Sequence, residues 1–464
     1  MKALNTILAA AAAVVALVSC SGGAGKPIKT DVPKRPAGQK SALLMRAPAL
    51  DTVRVGFVGL GGRGSFAVTR WVKIPGTRVV ALCDLYEDNV ENVQKTLENA
   101  GRPKAALYFG GEEEYKKLCE RDDIDLVYIA TDWKHHAPIA KYAMEHGKHA
   151  VIEVPGATTL EEIWDLVNTC ERTRKHCMML ENCTYDFFEM TVLNMVQAGL
   201  FGEVTHAEGG YLHCRVGWKN RYNNWRLRYN KNNRGDVYPT HGLGPICEIM
   251  NIHRGDRLKL LVSVDTKSYN GPEWWKRNEG EDIPSEEFAN GDITSTLITT
   301  ENGKTILIEH NTMDPRPYSR MFRIQGTRAY AEKEPIEVIS MDPRRLDSTR
   351  FDLSGVEHRE PLPKEILDVL MEEYKDPIHK EIEAMAKEIG GHGGMDFVMD
   401  WRLVYCLRNG LPLDMDVYDM AEWCAIQPLS RLSLESGNMP VEVPDFTRGE
   451  WKKLSGYRHF FAGE

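Results

Sequence analysis

The fold of this chain is decided by the stretch Val55-Gly56-Phe57-Val58-Gly59-Leu60-Gly61-Gly62-Arg63-Gly64. It carries the pattern G-x-G-x-x-G directly after an apolar strand and at the start of a helix. Gly59 permits a tight turn, Gly61 lets the backbone approach a pyrophosphate, and Gly64 allows the helix to pack closely on the strand. The helix then presents its first N–H groups to the phosphates. The stretch therefore predicts a dinucleotide-binding Rossmann domain in which Gly59, Gly61, Gly62, Arg63 and Gly64 contact the cofactor.

Two later strand ends extend the predicted cofactor site. Asp84 lies 20 residues after Gly64, where a carboxylate can accept hydrogen bonds from both ribose hydroxyls. A 2′-phosphate would be repelled there, so the sequence favours NAD over NADP. Trp133, His135 and His136 follow the strand predicted over residues 126–131 and are expected to contact the cofactor. The two histidines would also suit a helix cap.

The rest of the first half is typical of parallel βαβ units, because short β-branched runs alternate with amphipathic helices. Strands are predicted over residues 53–59, 78–84, 126–131, 150–154 and 178–181, with a helix over 160–175. We assign residues 51–185 to the NAD-binding domain.

After Gly202 the pattern changes to longer strand-like segments with few helices. These segments cover residues 204–212, 259–266, 293–300, 305–311 and 320–330. Asn302-Gly303 predicts a hairpin turn, since this pair accepts positive φ, and a helix over 395–408 is expected to pack back on the body. The sequence thus predicts an α/β fold in which residues 186–464 form an α+β substrate domain with a large, mostly antiparallel open sheet.

The N-terminus has the features of an export signal. Lys2 precedes an unbroken apolar run over residues 7–18, which is too short to span a bilayer. The run ends in Leu17-Val18-Ser19-Cys20, which resembles the lipobox of bacterial lipoproteins. Residues 1–20 are therefore predicted to be a signal peptide, with Cys20 lipidated and the protein anchored in the cell envelope facing the periplasm. The alternative is ordinary cleavage near Ser19, and residues 21–50 are predicted to be a flexible tether.

The composition is that of an ordinary globular protein. Hydrophobic residues make up 42% of the 464 residues, and the net charge of −9 includes no basic block, which excludes nucleic acid as a partner. Besides Cys20, nine cysteines occur at irregular spacing without a C-x-x-C pair. The sequence therefore indicates neither a metal site nor a disulfide framework.

Three segments together resemble the glucose–fructose oxidoreductase and inositol dehydrogenase superfamily. They are the glycine loop, the segment 131–136 and Glu153-Val154-Pro155. Ordinary dehydrogenases of that superfamily have a lysine where this chain has Val154, and an aliphatic side chain cannot transfer a proton. The Glu-Val-Pro variant is similar to glycoside hydrolase family 109, the NAD-dependent α-N-acetylgalactosaminidases. Further matching segments are 181–185, 224–228 and 238–245.

The resemblance implies a redox route to glycoside hydrolysis, which is a recognised exception to the usual two-carboxylate chemistry. A hydride leaves sugar C3 for NAD⁺, a base removes the C2 proton, the aglycone leaves C1, water adds, and the hydride returns with overall retention. Tyr185 is assigned to C2 proton transfer and His241 to the C3 hydroxyl, with the reverse order left open. Glu153, Val154 and Asn182 are expected to contact the cofactor, with Glu153 and Asn182 on the nicotinamide side. Glu153 would alternatively be structural.

The predicted substrate is a glycan ending in α-linked N-acetylgalactosamine. Its predicted contacts are Tyr211, Arg228, Tyr238, His241 and Tyr318. Membrane association is expected through the lipid anchor only, and self-association through an exposed sheet face is left open. Two other functions compete: a sugar oxidoreductase with net oxidation, which Val154 disfavours, and a non-catalytic NAD-containing sugar-binding lipoprotein, which Tyr185 and His241 disfavour.

Overall fold

Six parallel strands form the first sheet of the molecule, which the computed structural model describes over residues 26–215 and 224–463. The strands are β1 (Val53–Val58), β2 (Thr77–Asp84), β3 (Ala106–Phe109), β4 (Leu126–Ile129), β5 (His149–Ile152) and β6 (Cys177–Met179). Their order is β3-β2-β1-β4-β5-β6, so the direction of winding reverses between β1 and β4. Ligands bind at the carboxyl ends of strands beside such a reversal. The predicted Rossmann architecture is confirmed, although the short, half-exposed edge strand β3 was not predicted.

Five helices connect these strands. They are α1 (Gly62–Trp71), α2 (Glu87–Asn99), α3 (Glu114–Cys119), α4 (Trp133–Glu145) and α5 (Leu160–Thr173). A capping box explains the start of α5, because the Thr159 side chain accepts from the Glu162 amide while the Glu162 side chain accepts from the Thr159 amide. The helix ends two residues earlier than predicted, since Arg174 adopts a left-handed conformation with φ 56°.

Eight strands form the second sheet, in the order β13-β12-β11-β7-β10-β9-β8-β14. They are β7 (Val204–Leu212), β8 (Leu258–Asp265), β9 (Thr294–Thr300), β10 (Thr305–Asn311), β11 (Arg323–Gly326), β12 (Ala329–Glu332), β13 (Val338–Met341) and β14 (Val441–Glu442). The pair β7–β10 is parallel and the other pairs are antiparallel. The predicted open, mostly antiparallel sheet is confirmed. The β9–β10 hairpin turns at Gly303, with φ +82°.

The prediction of few helices after Gly202 is wrong. Helix α6 (Phe187–Gln197) comes before that point, and the described residues after it contain seven more: α7 (Trp225–Asn232), α8 (Thr240–Ile249), α9 (Gly271–Glu279), α10 (Lys364–Glu373), α11 (Pro377–Ile389), α12 (Met395–Asn409) and α13 (Val417–Glu435). The longest, α13, is buried on nearly every side, so its apolar residues do not follow one face. The segment 320–330, predicted as one strand, contains β11 and the start of β12.

The N-terminal segment corrects another prediction. The part of the predicted flexible tether that the structure describes, residues 26–50, is held against the body. The Ile28 amide donates to the Pro440 carbonyl at 2.8 Å, the Ala42 amide donates to the Tyr418 hydroxyl at 3.0 Å, and Met45 is buried. Such bonds to β14 and α13 fix the backbone. Cys20 lies outside the described residues.

None of the helices in the described part of the chain combines the length and apolar character needed to cross a bilayer. The nine cysteines of this part are free thiols, and eight of them are buried. Most of these thiols pack in the main hydrophobic core, as small apolar residues do.

Candidate active site

The glycine loop between β1 and α1 can be built only with glycine at two positions. Gly59 has φ +89°, and a Cβ there would lie 2.6 Å from the carbonyl carbon and oxygen of Ala130. A Cβ on Gly64 would lie 1.8 Å from the Gly59 carbonyl oxygen. At Gly61 no side chain of the described residues caps α1, so the first amides of the helix stay available for phosphate oxygens. The loop fits the pyrophosphate of a dinucleotide.

Asp84, at the end of β2, is positioned to receive a ribose. Its carboxylate accepts from the Leu60 amide at 2.6 Å, the Tyr86 amide at 2.9 Å and the Asn89 side chain at 3.1 Å. A carboxylate has about four acceptor positions, so capacity remains for a ribose hydroxyl. Helix α2 begins with two acidic residues, Glu87 and Asp88. The negative charge of Asp84 and of these two residues disfavours a 2′-phosphate, which agrees with the prediction of NAD.

Three predicted cofactor residues are joined through a residue that the sequence reasoning missed. The Arg63 guanidinium donates to Glu153 at 2.8 Å and to Asp396 at 2.7 Å. The Asn182 side-chain amide donates to Asp396 at 2.7 Å. Burial opposes ionisation of Asp396, but His392, Arg63 and other donors outweigh it and lower its pKa. Asp396, on α12, therefore stays charged and fixes these residues at the sheet edge.

The other predicted cofactor residues have varied settings. Trp133 opens α4 and is buried. His135 bonds to Asp132, and this bond raises the pKa of His135. His136 is buried with its ring nitrogens on the carbonyls of Pro155 and Thr131, at 2.7 and 3.0 Å. The ring of His136 thus ties two loops together. Val154 is buried too, and offers no proton at the position of the dehydrogenases' lysine.

His241 and Glu181 form the titratable pair of the site. His241 lies in the first turn of α8, and its Nδ1 bonds to Glu181 Oε1 at 2.6 Å. Burial acts to raise the pKa of Glu181, but the charge and hydrogen bond of His241 outweigh it and lower that pKa. The carboxylate is therefore ionised and accepts the Nδ1 proton. No residue in the described ranges bonds to Nε2, which leaves this nitrogen available for a substrate.

Aromatic rings enclose His241. The rings of Tyr211 and Tyr238 meet it edge-on, with centroids 5.4 and 4.9 Å away. Tyr238 stacks on Trp133 at 5.6 Å. The guanidinium carbon of Arg226 lies 4.3 Å from the Tyr238 ring and 4.9 Å from the Trp133 ring. Aromatic faces beside a cation and an imidazole are suited to a polar ring such as a sugar.

Arg228 does not belong to this group, contrary to the prediction. Its guanidinium pairs with Glu279 and lies 6.0 Å from the Trp275 ring, on the side of α7 that faces α9. Arg226 and Arg228 are two positions apart on the helix, so they point to different neighbours. Arg226 is the residue at the site.

Tyr185 also lies elsewhere. Its hydroxyl donates to Asp414 at 3.0 Å, its side chain is 1% exposed, and Arg402 pairs with the same carboxylate. Burial and the charge of Asp414 raise the pKa of Tyr185 well above its usual value. The 3₁₀ turn over Asn182–Tyr185 presents Cys183 to His241 and turns Tyr185 the other way. The structure therefore does not bring Tyr185 together with His241, and the role of Tyr185 as a base stays a prediction.

Tyr318 lies at the rim. Its side chain is 48% exposed, and its ring meets the His213 ring at 5.1 Å. Of the predicted substrate contacts, the structure brings Tyr211, Tyr238 and His241 together, places Tyr318 at the edge and excludes Arg228. Sequence reasoning missed Glu181, Arg226 and Asp396. Glu181 and Arg226 lie inside motifs that were noticed, whereas Asp396 carries no local signal.

Comparisons with known proteins agree with this architecture. Residues 185–453 match the model described as "Glycosyl hydrolase 109, C-terminal domain". The chain belongs to glycoside hydrolase family 109. Residues 53–181 match the oxidoreductase family with its NAD-binding Rossmann fold. The chain is therefore a family 109 hydrolase with an NAD-binding domain.

Relatives in the same family cover almost the whole chain. A family 109 protein of Bacteroides thetaiotaomicron is 60% identical over 94% of this chain and 93% of its own length. One from Porphyromonas gingivalis is 56% identical over 99% of this chain and 98% of its own length.

Solved structures share the fold of the family 109 chain. An oxidoreductase domain protein from Kribbella flavida has a TM-score of 0.62 at 20% identity, covering 85% of this chain and all of its own. A levoglucosan dehydrogenase in complex with NADH and L-sorbose has a TM-score of 0.61 at 17% identity, covering 85% of this chain and 100% of its own.

Proposed function

We propose that this family 109 hydrolase releases terminal α-linked N-acetylgalactosamine with retention, in a cycle that oxidises and then reduces the sugar. The observation that supports this proposal is the His241–Glu181 pair, which lies beside the rings of Tyr211 and Tyr238. Family membership supplies the reaction class. The choice of sugar rests on the matching motifs around Glu153, Asn182 and Tyr238.

The proton chemistry follows from the orientation of His241. Because Nδ1 donates to a buried carboxylate, Nε2 is the acceptor of the neutral ring. Glu181 also stabilises the imidazolium that forms when Nε2 takes a proton, as an orienting carboxylate does in catalytic triads. His241 is therefore the residue of the predicted catalytic pair that can move a proton at sugar C2 or at the C3 hydroxyl. Val154, which stands at the position of the dehydrogenases' lysine, contributes none.

The chain supplies two further functions at the site. Gly59, Gly64 and Asp84 would hold NAD, which when bound accepts a hydride from sugar C3 and returns it, so that the proton at C2 becomes acidic in between. Tyr211, Tyr238 and Arg226 would hold the sugar beside His241. The cycle is redox-neutral, so no reduced cofactor accumulates. This feature separates the proposal from a sugar oxidoreductase.

The reaction test uses the purified chain with a chromophoric α-N-acetylgalactosaminide and, separately, with free sugars plus NAD⁺. We expect release of the aglycone without growth of NADH absorbance. Stoichiometric NADH from a free sugar would instead establish an oxidoreductase. Inertness in both assays would leave a binding protein.

The role of His241 is tested by His241→Gln, which removes the base but keeps a polar side chain. Because a positioned general base contributes about 10²–10⁴ in rate, kcat should fall by roughly 10³ while NAD stays bound. The matched control is His206→Gln, since His206 lies on β7 and bonds only to Thr305 and Glu208 among the described residues. Wild-type kcat in His241→Gln would contradict the assignment.

A further inference from the structure

We infer that Glu181, Cys183 and His241 form a binding site for a thiophilic divalent cation of the Zn²⁺ class. A carboxylate oxygen, the Cys183 sulfur and an imidazole nitrogen all lie within 4.8 Å of one another. The first two residues come from the 3₁₀ turn after β6, and the histidine comes from α8. Spacing along the chain does not reveal such a set, which is why the cysteine pattern indicated no metal.

The donor set is one that zinc uses. Zn²⁺ binds thiolate, imidazole and carboxylate, and three protein ligands leave a fourth position for water or substrate. Bonds of about 2.0–2.3 Å in a tetrahedron separate ligand atoms by roughly 3–4 Å. The ligand atoms of Glu181, Cys183 and His241, at most 4.8 Å apart, therefore need only small shifts to surround an ion. If Nδ1 and Oε1 are the ligands, their 2.6 Å hydrogen bond has to open.

A second observation points to a ligand at this place. Glu181 is fully buried, and its Oε1 is used by His241 at 2.6 Å and by the Cys183 amide at 3.2 Å. Its Oε2 is buried and makes no hydrogen bond of normal geometry in the described part of the chain, with the Thr240 hydroxyl near the carboxylate. A buried charged oxygen without a partner is costly. A cation between Glu181 and Cys183 would satisfy it.

The charges around the cluster permit a cation. The Arg320 guanidinium interacts with the Cys183 sulfur. The charge of Arg320 is itself offset by ion pairs with Asp186 and Glu189. Lys333 pairs with the same two carboxylates. Because these two cations are paired with two carboxylates, the negative charge of Glu181 remains to attract the ion.

Cation binding has a consequence for catalysis. An ion that holds the imidazole of His241 takes away the nitrogen lone pair or the orientation that proton transfer needs. Micromolar Zn²⁺ should then inhibit the enzyme reversibly, and a chelator should restore activity. This inhibition rests on the proposed function of His241, whereas the binding itself does not.

The binding test is a Co²⁺ titration of the intact chain, followed by absorbance. We expect one Co²⁺ per chain, visible d–d bands of a tetrahedral ion, a near-ultraviolet thiolate-to-cobalt band, and displacement by Zn²⁺. Cys183→Ala should abolish the thiolate band and weaken binding at least about 100-fold, since even outer-shell changes cost 10–100-fold. The matched control Cys214→Ala, at the half-buried cysteine just past β7, should keep both.

The outcomes separate the two claims. A wild-type protein without the thiolate band, or a band that persists in Cys183→Ala, would overturn the site. Should Cys183→Ala fail to fold by circular dichroism, Cys183→Ser takes its place with the same expected loss. A thiolate band with undiminished glycosidase activity would leave the metal site standing and overturn the role of His241.

Discussion

Arg226 and Arg228 show that sequence position alone does not determine which side chain reaches a site. Both lie on α7, two positions apart, and both carry a guanidinium that can donate hydrogen bonds to sugar hydroxyls or to an acetamide oxygen. Only the packing separates them: Arg226 lies over Trp133 and Tyr238, and Arg228 pairs with Glu279. The sequence identifies the segment, and the structure identifies the side chain.

Conservative substitution of each arginine makes a direct comparison. Arg226→Lys should raise KM for the galactosaminide about 10-fold or more, because a guanidinium over aromatic rings contributes roughly 1–2 kcal/mol that a lysine does not reproduce. Arg228→Lys should leave KM within about twofold of the wild-type value, since an exposed ion pair contributes only ~0–1 kcal/mol. Steady-state kinetics measures both. Equal effects in the two variants would contradict the assignment of Arg226.

Tyr185 gives a prediction about stability instead of rate. Tyr185→Phe removes the bond to Asp414 but leaves that carboxylate paired with Arg402. We expect a loss of about 1–2 kcal/mol in the free energy of unfolding, seen as a lower Tm, with kcat within about threefold of wild type. A variant with unchanged Tm and abolished activity would return Tyr185 to the active site.

At the scale of the elements, two alanine substitutions in the glycine loop, at Gly64 and at Gly62, test how closely α1 packs on β1. Gly64→Ala places a Cβ 1.8 Å from the Gly59 carbonyl oxygen, so α1 must move off β1. We expect a loss of roughly 3 kcal/mol and release of NAD. Gly62→Ala is the control, because no described heavy atom lies within 4 Å of its Cβ position. Its Tm should match or slightly exceed that of wild type.

Thermal denaturation and retention of NAD after gel filtration measure these two effects. An equal Tm for both alanine variants would contradict the close packing at Gly64. Loss of NAD from Gly62→Ala with an intact Tm would show that this position meets the cofactor directly, as the sequence predicts.

The elements also show where sequence patterns succeed. Strands such as β7 and β10 have the predicted bounds, because their β-branched or apolar runs end at clear turns. Helix α13 was missed because burial on nearly every side removes the polar face that marks a surface helix. Residues 320–330 were taken as one strand because a tight turn around Gly326 carries no Asn-Gly or Pro signal.

For the whole molecule, the cofactor loop was predictable and the remainder of the site only in part. Gly59, Gly64 and Asp84 follow one another in a single βαβ unit whose geometry is fixed. Glu181 and His241 meet across 60 residues. Pairs of that kind depend on how two domains pack, which local patterns do not encode.

Anchoring of the whole molecule remains a proposal that rests on Cys20. We expect the wild type, expressed in a bacterium that processes lipoproteins, to partition into the detergent phase. Acylation of Cys20 would make the N-terminus hydrophobic, and stable anchoring takes more than one acyl chain. Cys20→Ala should move to the aqueous phase, while Ser19→Ala should behave as wild type. Mass spectrometry of the N-terminal peptide identifies the acyl groups. A detergent-phase Cys20→Ala variant would contradict lipidation at this residue.

The position of Asp396 limits how the Rossmann domain of this enzyme can be transferred to another protein. It lies 333 residues after Arg63, yet it holds Arg63 and Asn182 in place. During synthesis, Arg63 cannot pair with Asp396 until the start of α12 has been translated. An excised Rossmann fragment would keep its strands and lose this anchor, so a chimaera that borrows the fragment has to bring α12 with it.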